Sequence, residues 1–346
     1  MQNSSGVSIV ICCYNSVNRL KNTLEALAKQ QFSIDFKVEI ILVDNASTDN
    51  TVGYAQSFWK SLSSPITLRA VYEPTPGLAN ARKKGIEGAS FSYILFCDDD
   101  NWLFPNYVND AYTILEGDHT IGACGGMGIP KFETEKPYWF DEYAEAFALG
   151  SQEIVRENGV QLNLYGAGLT VRKQVLAELT DRGFTRMFNG RVGGKLSSSE
   201  DIELTNGIVL LGYKLHYCEE LKFYHYLPKG RVTFAYLKKL FTAFGTDGPV
   251  RDLYYAHLSK RPSHQLIKNR YFHFSLSLVR LLKYLILPPK KYGRSIYFHW
   301  NIAYIRELSR LFFKHRAINS NIVKLKKETP AIAIKEHPKS ESLVMH

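Results

Sequence analysis

Apolar strand patterns alternate with helical patterns along roughly the first hundred residues, and this alternation restricts the chain to few folds. Strands are predicted at residues 7–13, 38–43, 66–72 and 93–97, and helices between them at residues 18–30, 51–62 and 78–88. The first strand is a β-branched run, whereas the first helix carries Leu20, Leu24 and Leu27 at helical spacing. Strands that alternate with helices in this way predict a parallel, doubly wound α/β sheet.

Polar side chains follow three of these strands at the point where each strand ends. Asn15 follows the first strand, Asp44 closes the second, and three consecutive aspartates, Asp98 to Asp100, leave the fourth. In open α/β sheets, ligands bind beyond the carboxyl ends of the strands. We therefore expect the functional site at this edge of the sheet.

The remainder of the chain is more mixed and becomes helical after Pro228. Further strands are predicted at residues 121–129 and 166–171, and further helices at 173–179 and 201–211. We divide the chain into an α/β domain over residues 1–230, a basic and aromatic helical region over 231–323, and a flexible tail over 324–346. Pro288 and Pro289 interrupt the helical region.

The net charge of +10 comes from the C-terminal third of the chain. Residues 251–346 hold 19 Lys and Arg against 5 Asp and Glu, which leaves 24 against 28 of the totals of 43 and 33 for residues 1–250. Such an excess is typical of a surface that meets anionic phospholipid or nucleic acid, or of a solvated basic face, and charge alone leaves both open. The chain contains no recognised nucleic-acid-binding module, so we expect no nucleic-acid partner.

The nearest approach to a membrane-spanning segment lies in the same basic region. Residues 274–287 are too short to span a bilayer and are interrupted by Arg280 and Lys283. This pattern suits a helix lying on an anionic membrane or a helix packed onto the α/β domain, and we favour the membrane because basic and aromatic residues occur together. The apolar residues of its stripe are Phe274, Leu278, Leu281, Leu282 and Leu285.

The cysteines and the N-terminus indicate a reducing compartment. The five cysteines follow no metal-ligand spacing, and their number is odd. The first residues lack both the basic and the apolar segment of a signal peptide. We expect a cytoplasmic protein, or one at the cytoplasmic face of the membrane.

The three aspartates at the end of the fourth strand are the strongest local signal. Like charges this close repel, so Asp98, Asp99 and Asp100 need a compensating cation. Asp98 and Asp100 lie two apart, and on an extended backbone they would project to one side. A hard divalent ion, Mn²⁺ or Mg²⁺, that bridges carboxylate and diphosphate oxygens would meet that need. The alternative is an acidic solvent turn or a helix N-cap.

Two further segments are predicted to lie near a nucleotide. Asp44 stands where it can accept hydrogen bonds from a base, and Asp49 is more typical of an N-cap for the next helix. Gly77, Asn80 and Arg82 lie at a helix start, where backbone amides and a guanidinium can meet phosphate. For Arg82 the alternative is an ordinary surface arginine.

A second acidic cluster opens the helix predicted at residues 201–211. Glu200 and Asp201 are either capping charges at a helix N-terminus or a general base facing an acceptor hydroxyl, and together with the three aspartates we favour the base. His225 lies among aromatic residues, where it is either a packed core residue or a neutral imidazole that completes a metal shell.

Two nucleotide-binding fingerprints are absent from the sequence. Residues 122–128 do not fit the glycine spacing of a dinucleotide-binding turn. Residues 189–197 contain Gly194 and Lys195 but lack the leading glycine and the hydroxyl residue of a P-loop.

Taken in order, the motifs resemble those of the family-2 glycosyltransferases with the GT-A fold. The similar segments are residues 7–15, the VDNASTD run at 43–49, residues 77–85, the acidic strand end at 96–100 and the Glu200-Asp201 pair. The resemblance extends through residues 147–152, 166–168 and 225–231, and covers roughly residues 7–245. Ser199 departs from the pattern, because the family usually has glycine before the acidic pair.

The resemblance implies a Rossmann-like open sheet with helices on both faces, here followed by a C-terminal helical extension. It implies a metal-dependent hexosyl- or N-acetylhexosaminyltransferase of polysaccharide or glycoconjugate synthesis at the cell envelope. The donor would be a nucleotide-diphosphate sugar, most simply a UDP-sugar, and the acceptor a glycan or lipid-linked hydroxyl. The implied donor-binding residues are Tyr14, Asn15, Asp44, Gly77, Asn80, Arg82, Asp98, Asp99 and Arg231.

The same resemblance implies roles in the transfer step. Asp98, Asp100 and His225 would bind a divalent metal, Mn²⁺ or Mg²⁺. Asp201, with Glu200 beside it, would take the proton of the acceptor hydroxyl while its oxygen attacks the anomeric carbon and inverts it. His225 and Arg231 would stabilise the departing diphosphate.

Two other functions compete with this one. A catalytically silent sugar- or nucleotide-binding scaffold would share the fold, but the joint presence of Asp98, Asp100, Asp201 and His225 argues against it. A nucleotidyltransferase would need a glycine-rich, basic phosphate loop after the first strand, and residues 14–18 are neither.

Overall fold

The computed structural model describes residues 4–152, 155–156, 160–161, 163–188, 190, 199–259, 262–286 and 293–326. Gly194 and Lys195, the Pro288-Pro289 break and residues 327–346 of the predicted tail lie outside these described residues.

The first four strands and three helices form in the predicted order and direction. Strands β1 to β4 are parallel neighbours in the order β3-β2-β1-β4, so that Ile9 lies opposite Ile40 on one side and Leu95 on the other. The prediction of a doubly wound start is therefore confirmed. The elements are β1 (Ser4–Cys13), α1 (Leu20–Ala28), β2 (Lys37–Asp44), α2 (Thr51–Ser61), β3 (Thr67–Tyr72), α3 (Leu78–Gly88) and β4 (Phe91–Asp98).

The second half of the sheet is mixed rather than parallel. The eight strands follow the order β3-β2-β1-β4-β9-β6-β10-β5, with β9 antiparallel to β4 and β6, and β5 antiparallel to β10. The predicted parallel arrangement concerned the first hundred residues, and the chain beyond them adds antiparallel pairs, since β9 follows directly on the turn at Gly168. The elements are β5 (Asn101–Leu103), α4 (Tyr107–Gly117), β6 (Ile121–Phe132), a 3₁₀ helix (Phe140–Phe147), β7 (Val155–Arg156), β8 (Val160–Gln161), β9 (Thr170–Arg172), α5 (Lys173–Asp181), α6 (Glu200–Leu210) and β10 (Lys214–Leu227).

Helices cover both faces of the sheet, as expected from the alternation of side chains along a strand. Ile9 and Ile11 of β1 are buried in the cluster that contains Leu24 of α1, whereas Val10 between them is buried with Ala81 of α3. Helix α3 lies so close to β1 that a Cβ atom at Gly85 would stand 2.3 Å from Val10 Cγ1.

The C-terminal helices pack onto the α/β domain and onto one another. Ile318 and Ile322 of α11 share a buried cluster with Leu204 of α6. Helices α7 and α10 approach closely at Gly245, where a Cβ would lie 2.2 Å from the backbone oxygen of Trp300. The elements are α7 (Phe234–Leu258), α8 (Pro262–Ile267), α9 (Arg270–Ile286), α10 (Gly293–Leu311) and α11 (His315–Leu325).

Two expectations about this region can be compared with the structure. Lys324 and Leu325, placed in the flexible tail by sequence, belong to the last turn of α11. Within the described part of the chain, no helix combines the length and the apolar character needed to cross a membrane.

Candidate active site

The polar residues that end the first strands meet at one edge of the sheet. Asp44 at the end of β2 lies beside Cys13 of β1, and Asp98 at the end of β4 lies beside Cys12. The register therefore brings the ends of three parallel strands side by side. This is the edge at which the sequence predicted the site.

The three consecutive aspartates diverge, and each meets a different arginine. Asp98 Oδ1 lies 3.8 Å from Arg82 Nη2. Asp99 Oδ2 lies 2.6 Å from Arg19 Nη2. Asp100 Oδ2 lies 2.7 Å from Arg231 Nη1. In this structure guanidinium groups offset the charge of the three carboxylates, and the divalent ion expected from the sequence stays a prediction.

The expectation that Asp98 and Asp100 project to one side of an extended backbone is wrong. Strand β4 ends at Asp98, and residues 99–100 form a turn. The period of two that holds along a strand no longer applies in a turn, so neighbouring carboxylates point to different surroundings.

Asp99 is buried beneath the loop that connects β1 to α1. Its carboxylate accepts hydrogen bonds from Ser16 Oγ and from the guanidinium of Arg19, and its backbone oxygen accepts from Thr23 Oγ1 at 3.0 Å. Burial raises the pKa of Asp99, and the neighbouring Asp100 raises it further, whereas Arg19 lowers it. Asp99 therefore anchors this loop, and Arg19 is a site residue that no sequence motif revealed.

Asp100 lies in a buried cluster with His225 and Arg231. His225 is brought there by β10, on which it pairs with Asn101 of β5. Its Nε2 atom stands 3.7 Å from Asp100 Oδ1. Burial lowers the pKa of Arg231, but the charge and hydrogen bond of Asp100 together with Tyr236 and Asp99 raise that pKa overall.

The donor set at Asp100 and His225 fits part of a divalent metal site. Two protein ligands, each about 2.1 Å from one ion, lie roughly 3 to 4 Å apart, and the pair stands 3.7 Å apart. Among the described residues, no group of three His, Cys, Asp or Glu side chains is arranged to hold a metal ion. Further ligands would have to be diphosphate oxygens and water, which is the usual situation for Mg²⁺ beside a nucleotide.

Arg82 is buried rather than exposed at the helix surface. Its guanidinium lies 3.8 Å from Asp98 and 3.6 Å from Glu200, and its Cζ atom stands 5.1 Å from the ring centre of Phe96. Only 3% of the residue is exposed. Arg82 thus links the end of β4 to the start of α6. The sequence predicts direct contact with phosphate, but it does not reveal that the guanidinium is buried between two carboxylates.

Asp201 is held at the start of α6 by two backbone amides. Gly166 N–H donates to Oδ2 and Ile202 N–H to Oδ1, each at 2.8 Å. Burial raises the pKa of Asp201 to about 7 and the charge of Glu200 adds to this, while Arg82 and the two amides oppose it. A carboxylate with a pKa near neutrality is suited to accept a proton at physiological pH.

Gly166 is fitted closely between Arg82 and Asp201. A Cβ atom there would lie 2.7 Å from Arg82 Nη2 and 3.1 Å from Asp201 Cβ. The preceding residue is fixed by the buried Gln152, whose Oε1 accepts from Tyr165 N–H at 2.6 Å. Gln152 Nε2 in turn donates to the backbone oxygen of Gly126 at 2.6 Å.

Glu203 is a buried acid to which sequence reasoning assigned no role. Its carboxylate accepts from the N–H groups of Met187 and Phe188 at 3.0 to 3.3 Å and from Tyr254 Oη at 3.3 Å. Burial raises the pKa of Glu203 to about 7 despite these hydrogen bonds. Glu203 ties Met187 and Phe188 to α6 and α7. Nothing in its sequence context distinguishes it from a capping acid.

Asn15 and Asp44 build the loops that follow β1 and β2 at this edge. Asn15 adopts a positive φ of 50°, and its Oδ1 accepts from Thr48 N–H at 2.8 Å. Asp44 Oδ1 accepts from Ser47 N–H at 3.1 Å. Asp49, expected as an N-cap, stands one residue before the cap and accepts from Thr51 N–H at 3.1 Å. Tyr14 beside them is about half exposed at the rim.

Gly77 and Asn80 stabilise the N-terminal end of α3 and the loop before it. The buried Asn45 accepts from Gly77 N–H at 2.7 Å and donates to the backbone oxygen of Thr75 at 2.7 Å. The Gly77 amide, predicted to meet phosphate, is therefore engaged with Asn45, and its φ of 135° favours glycine. Asn80 Nδ2 donates to Pro76 O at 3.3 Å. Asn45 was missed because its role depends on a loop about 30 residues away.

Comparison with protein families gives one match over half of the chain. The model described as Glycosyl transferase family 2 matches residues 8–180. Among curated proteins, the uncharacterized glycosyltransferase YibD of Escherichia coli is 28% identical over 125 residues, which are 36% of this chain and 35% of that protein. Poly(ribitol-phosphate) beta-N-acetylglucosaminyltransferase TarS of Staphylococcus aureus is 25% identical over 130 residues, 36% of this chain and 22% of TarS. These matches span roughly a third or less of the relatives' own length.

Solved structures with the same architecture include two nucleotide-sugar complexes. The mannosyltransferase PcManGT of Pyrobaculum calidifontis, with GDP-Man and Mn²⁺, superimposes with a TM-score of 0.55 at 15% identity and covers 94% of this chain and 86% of that one. TarS 1-349 of S. aureus, with UDP-GlcNAc, gives 0.52 at 16% identity over 92% and 89%. At these identities the likeness concerns the fold, and it confirms the GT-A architecture implied by the sequence.

Proposed function

We propose, from the premise that this chain belongs to glycosyl transferase family 2, that it moves a sugar from a nucleotide-diphosphate donor to a hydroxyl of a glycan or lipid-linked acceptor. The observation that carries the proposal is the position of Arg82 between Asp98 and Glu200. One buried guanidinium brings the acidic end of β4 and the acidic start of α6 together. A donor site and a proton acceptor would thus lie within one cluster of charges.

The donor is assigned to the edge formed by β1, β2 and β4. Asp44 would face the base, with Asn15 and Tyr14 on the adjacent loop and Gly77 and Asn80 shaping the far wall. A uridine-linked donor is our choice, and the UDP-GlcNAc bound by TarS and the GDP-Man bound by PcManGT support a nucleotide sugar in general.

Asp201 is assigned as the general base. The acceptor hydroxyl would give its proton to an Asp201 oxygen while the hydroxyl oxygen forms a bond to the anomeric carbon. The bond from that carbon to the diphosphate oxygen breaks on the opposite side, so the configuration inverts and the electron pair leaves with the diphosphate. Gly166 and Ile202 orient the carboxylate, and Glu200 raises its proton affinity.

The diphosphate is assigned to the opposite side of the acidic turn. Arg231 lies on Asp100 and would offset the charge that develops on the departing oxygen. Asp100 and His225 would hold a divalent cation, Mn²⁺ or Mg²⁺, which would supply further positive charge to the diphosphate. Asp98, expected from the sequence as a further ligand, lies against Arg82 instead. Asp99 would affect donor binding indirectly, because it fixes the loop that carries Tyr14 and Asn15.

The cellular setting is part of the same proposal. Cys13, Cys97 and Cys124 are buried as free thiols, which agrees with a reducing compartment. We therefore place the reaction on the cytoplasmic side, in the assembly of a polysaccharide or glycoconjugate of the cell envelope.

The test is a donor screen with variants of the proposed base and metal ligand. Release of nucleoside diphosphate is measured from a panel of nucleotide sugars, with Mn²⁺ and after chelation, in the presence of glycan and lipid-linked acceptors. We expect one donor to turn over, Asp100→Asn to lose the metal response, and Asp201→Asn to lower kcat by about 10²- to 10⁴-fold with donor binding retained. Asp35→Asn, at an exposed carboxylate in the loop before β2, is the matched control and should keep full activity.

Two results would contradict the proposal. Unchanged kcat in Asp201→Asn would remove Asp201 as the base. Absence of metal-dependent turnover and of donor binding across the panel would favour the catalytically silent scaffold.

A further inference from the structure

Helix α9 presents an apolar face that the described part of the chain leaves exposed. Val279 at its centre is 62% exposed and Ile286 near its end is 79% exposed. The residues recur at spacings of three and four, so they share one side of the helix. The exposed apolar residues of this face, called the α9 face below, are Tyr271, Phe272, Leu276, Leu278, Val279, Leu282, Leu285 and Ile286.

The opposite side of α9 is packed, which fixes the rotation of the helix. His273 and Ser277 are buried, and His273 Nε2 shares a hydrogen bond of 2.6 Å with Tyr304 Oη of α10. The guanidinium of Arg280 lies over the rings of Trp300 and Tyr304, at 4.7 and 4.4 Å. The α9 face is therefore held outward by specific contacts on the other side of the helix.

The surroundings of the α9 face are strongly basic. Residues 262–286 and 293–326 contain eleven Lys and Arg against one acid, Glu307. Lys283 lies on the exposed side of α9 itself, between Leu282 and Leu285. Two copies of the chain that met through this surface would bring like charges together, whereas an anionic lipid surface would complement them.

We propose that the α9 face docks on an anionic membrane, with the helix lying in the headgroup region parallel to the surface. Leu, Val, Phe and Ile side chains would enter the acyl boundary, and Lys283 would reach the lipid phosphates. A helix of 17 residues is about 25 Å long and would present all eight apolar side chains to the lipid at once. This corresponds to a peripheral contact through one face of one helix.

The membrane contact also bears on the acceptor, and this part rests on the proposed function. Helix α10 follows α9, and its Tyr297 packs edge-on against Phe241 at 5.7 Å. Phe241 packs against Tyr143 of the 3₁₀ helix at 5.6 Å, and the chain continues from there to Gln152, which fixes the segment beside Asp201. Helix α9 thus packs on α10 through Arg280 and Trp300, and α10 packs through Phe241 on the 3₁₀ helix, from which the chain runs on to the proposed acceptor side.

The test is sedimentation of the full chain with vesicles, which needs neither donor nor acceptor. Vesicles of phosphatidylcholine alone are compared with vesicles that also contain phosphatidylglycerol, at low and high salt. We expect binding to the anionic vesicles only. Val279→Asp and Leu282→Asp should each lower the partition coefficient about tenfold, because each removes one apolar side chain that would enter the lipid. Lys283→Glu should weaken binding in a salt-dependent manner.

Matched controls separate this proposal from the proposed function. Ile34→Asp alters an exposed isoleucine of the α/β domain, 46% exposed, and should bind vesicles like the wild type. Donor hydrolysis without membrane should be unchanged in Val279→Asp, whose melting curve reports that it folds. Wild type that ignores anionic vesicles, or Val279→Asp that binds them equally, would overturn the proposal. So would a wild-type dimer in light scattering that Val279→Asp dissociates, because a second copy would then cover the α9 face.

Discussion

The carboxyl edge of the sheet and the C-terminal helices both hold an arginine against aromatic rings, but they offset its charge in different ways. Arg82 lies between the carboxylates of Asp98 and Glu200 and over one ring. Arg280 lies over the two rings of Trp300 and Tyr304. The edge therefore balances its charges internally, whereas the helices leave a positive excess for their surroundings.

The largest difference between the two regions is expected in the free energy of unfolding when each arginine is removed. Arg82→Met would remove the cation beside the buried Glu200 and the partly exposed Asp98, and we expect a loss of about 3 kcal/mol in the free energy of unfolding. Arg280→Met would lose mainly cation–π contacts, at about 1 to 2 kcal/mol. Urea unfolding of both variants measures the difference. Equal losses would show that the two regions do not differ in this respect.

The two regions should also respond to pH in opposite directions. The pKa of Glu203 is raised to about 7 by burial, so the folded chain holds a proton there between pH 4.5 and 7 that the unfolded chain has lost. The free energy of unfolding should fall across this window as pH rises, by up to about 3 kcal/mol from this group. Glu203→Gln should remove that dependence in unfolding curves recorded from pH 4 to 8. A slope that persists in the variant would assign the effect elsewhere, Asp201 being the first alternative.

His273 in the C-terminal helices should give the contrary slope. Burial lowers its pKa to about 4, with His315 and Arg280 adding to the shift and Asp252 opposing it. The folded chain therefore keeps His273 neutral, and the free energy of unfolding should fall as pH drops from 6.5 towards 4, by about 2 to 3 kcal/mol. His273→Gln should flatten this acid limb in the same curves. An unchanged acid limb would contradict the assignment.

The smallest expected difference concerns two buried asparagines. Asn45 bonds to three backbone groups in residues 73–77, whereas Asn301 donates to Tyr297 within its own helix. We expect Asn45→Ala to cost about 2 kcal/mol and Asn301→Ala about 1 kcal/mol, because the first leaves more polar groups unpaired. Asn45→Ala should also raise KM for the donor, since its loop leads into Gly77. An Asn301→Ala variant with the larger donor effect would argue against this placement of the donor.

Local patterns in the sequence predicted the first strands and helices and the sheet edge at which we propose the site. The predicted helix at residues 78–88 and the observed α3 share both ends, and the predicted strand at 93–97 lies within β4. Periodicity is a property of neighbouring residues, so it can be recognised without knowing what packs against them. The same applies to Glu200 and Asp201 at the start of α6.

Tertiary structure decided which side chains the acidic residues contact. Sequence patterns do not show these contacts. Arg19 meets Asp99 across 80 residues, and Arg231 meets Asp100 across 131. The antiparallel direction of β9 and the use of the Gly77 amide by Asn45 likewise depend on segments far apart in the chain.

The turn at Asp98 to Asp100 shows which properties follow from the sequence and which follow only from the fold. The sequence by itself determined that three carboxylates leave β4 at the edge of the sheet and that they require positive charge nearby. Only the folded chain decided that Asp98, Asp99 and Asp100 each turn to a different arginine. The strand ends at Asp98, and the arginines come from the loop before α1, from α3 and from the loop after β10. Charge of one sign can be counted along a chain, but its compensation depends on which distant segments are packed against it.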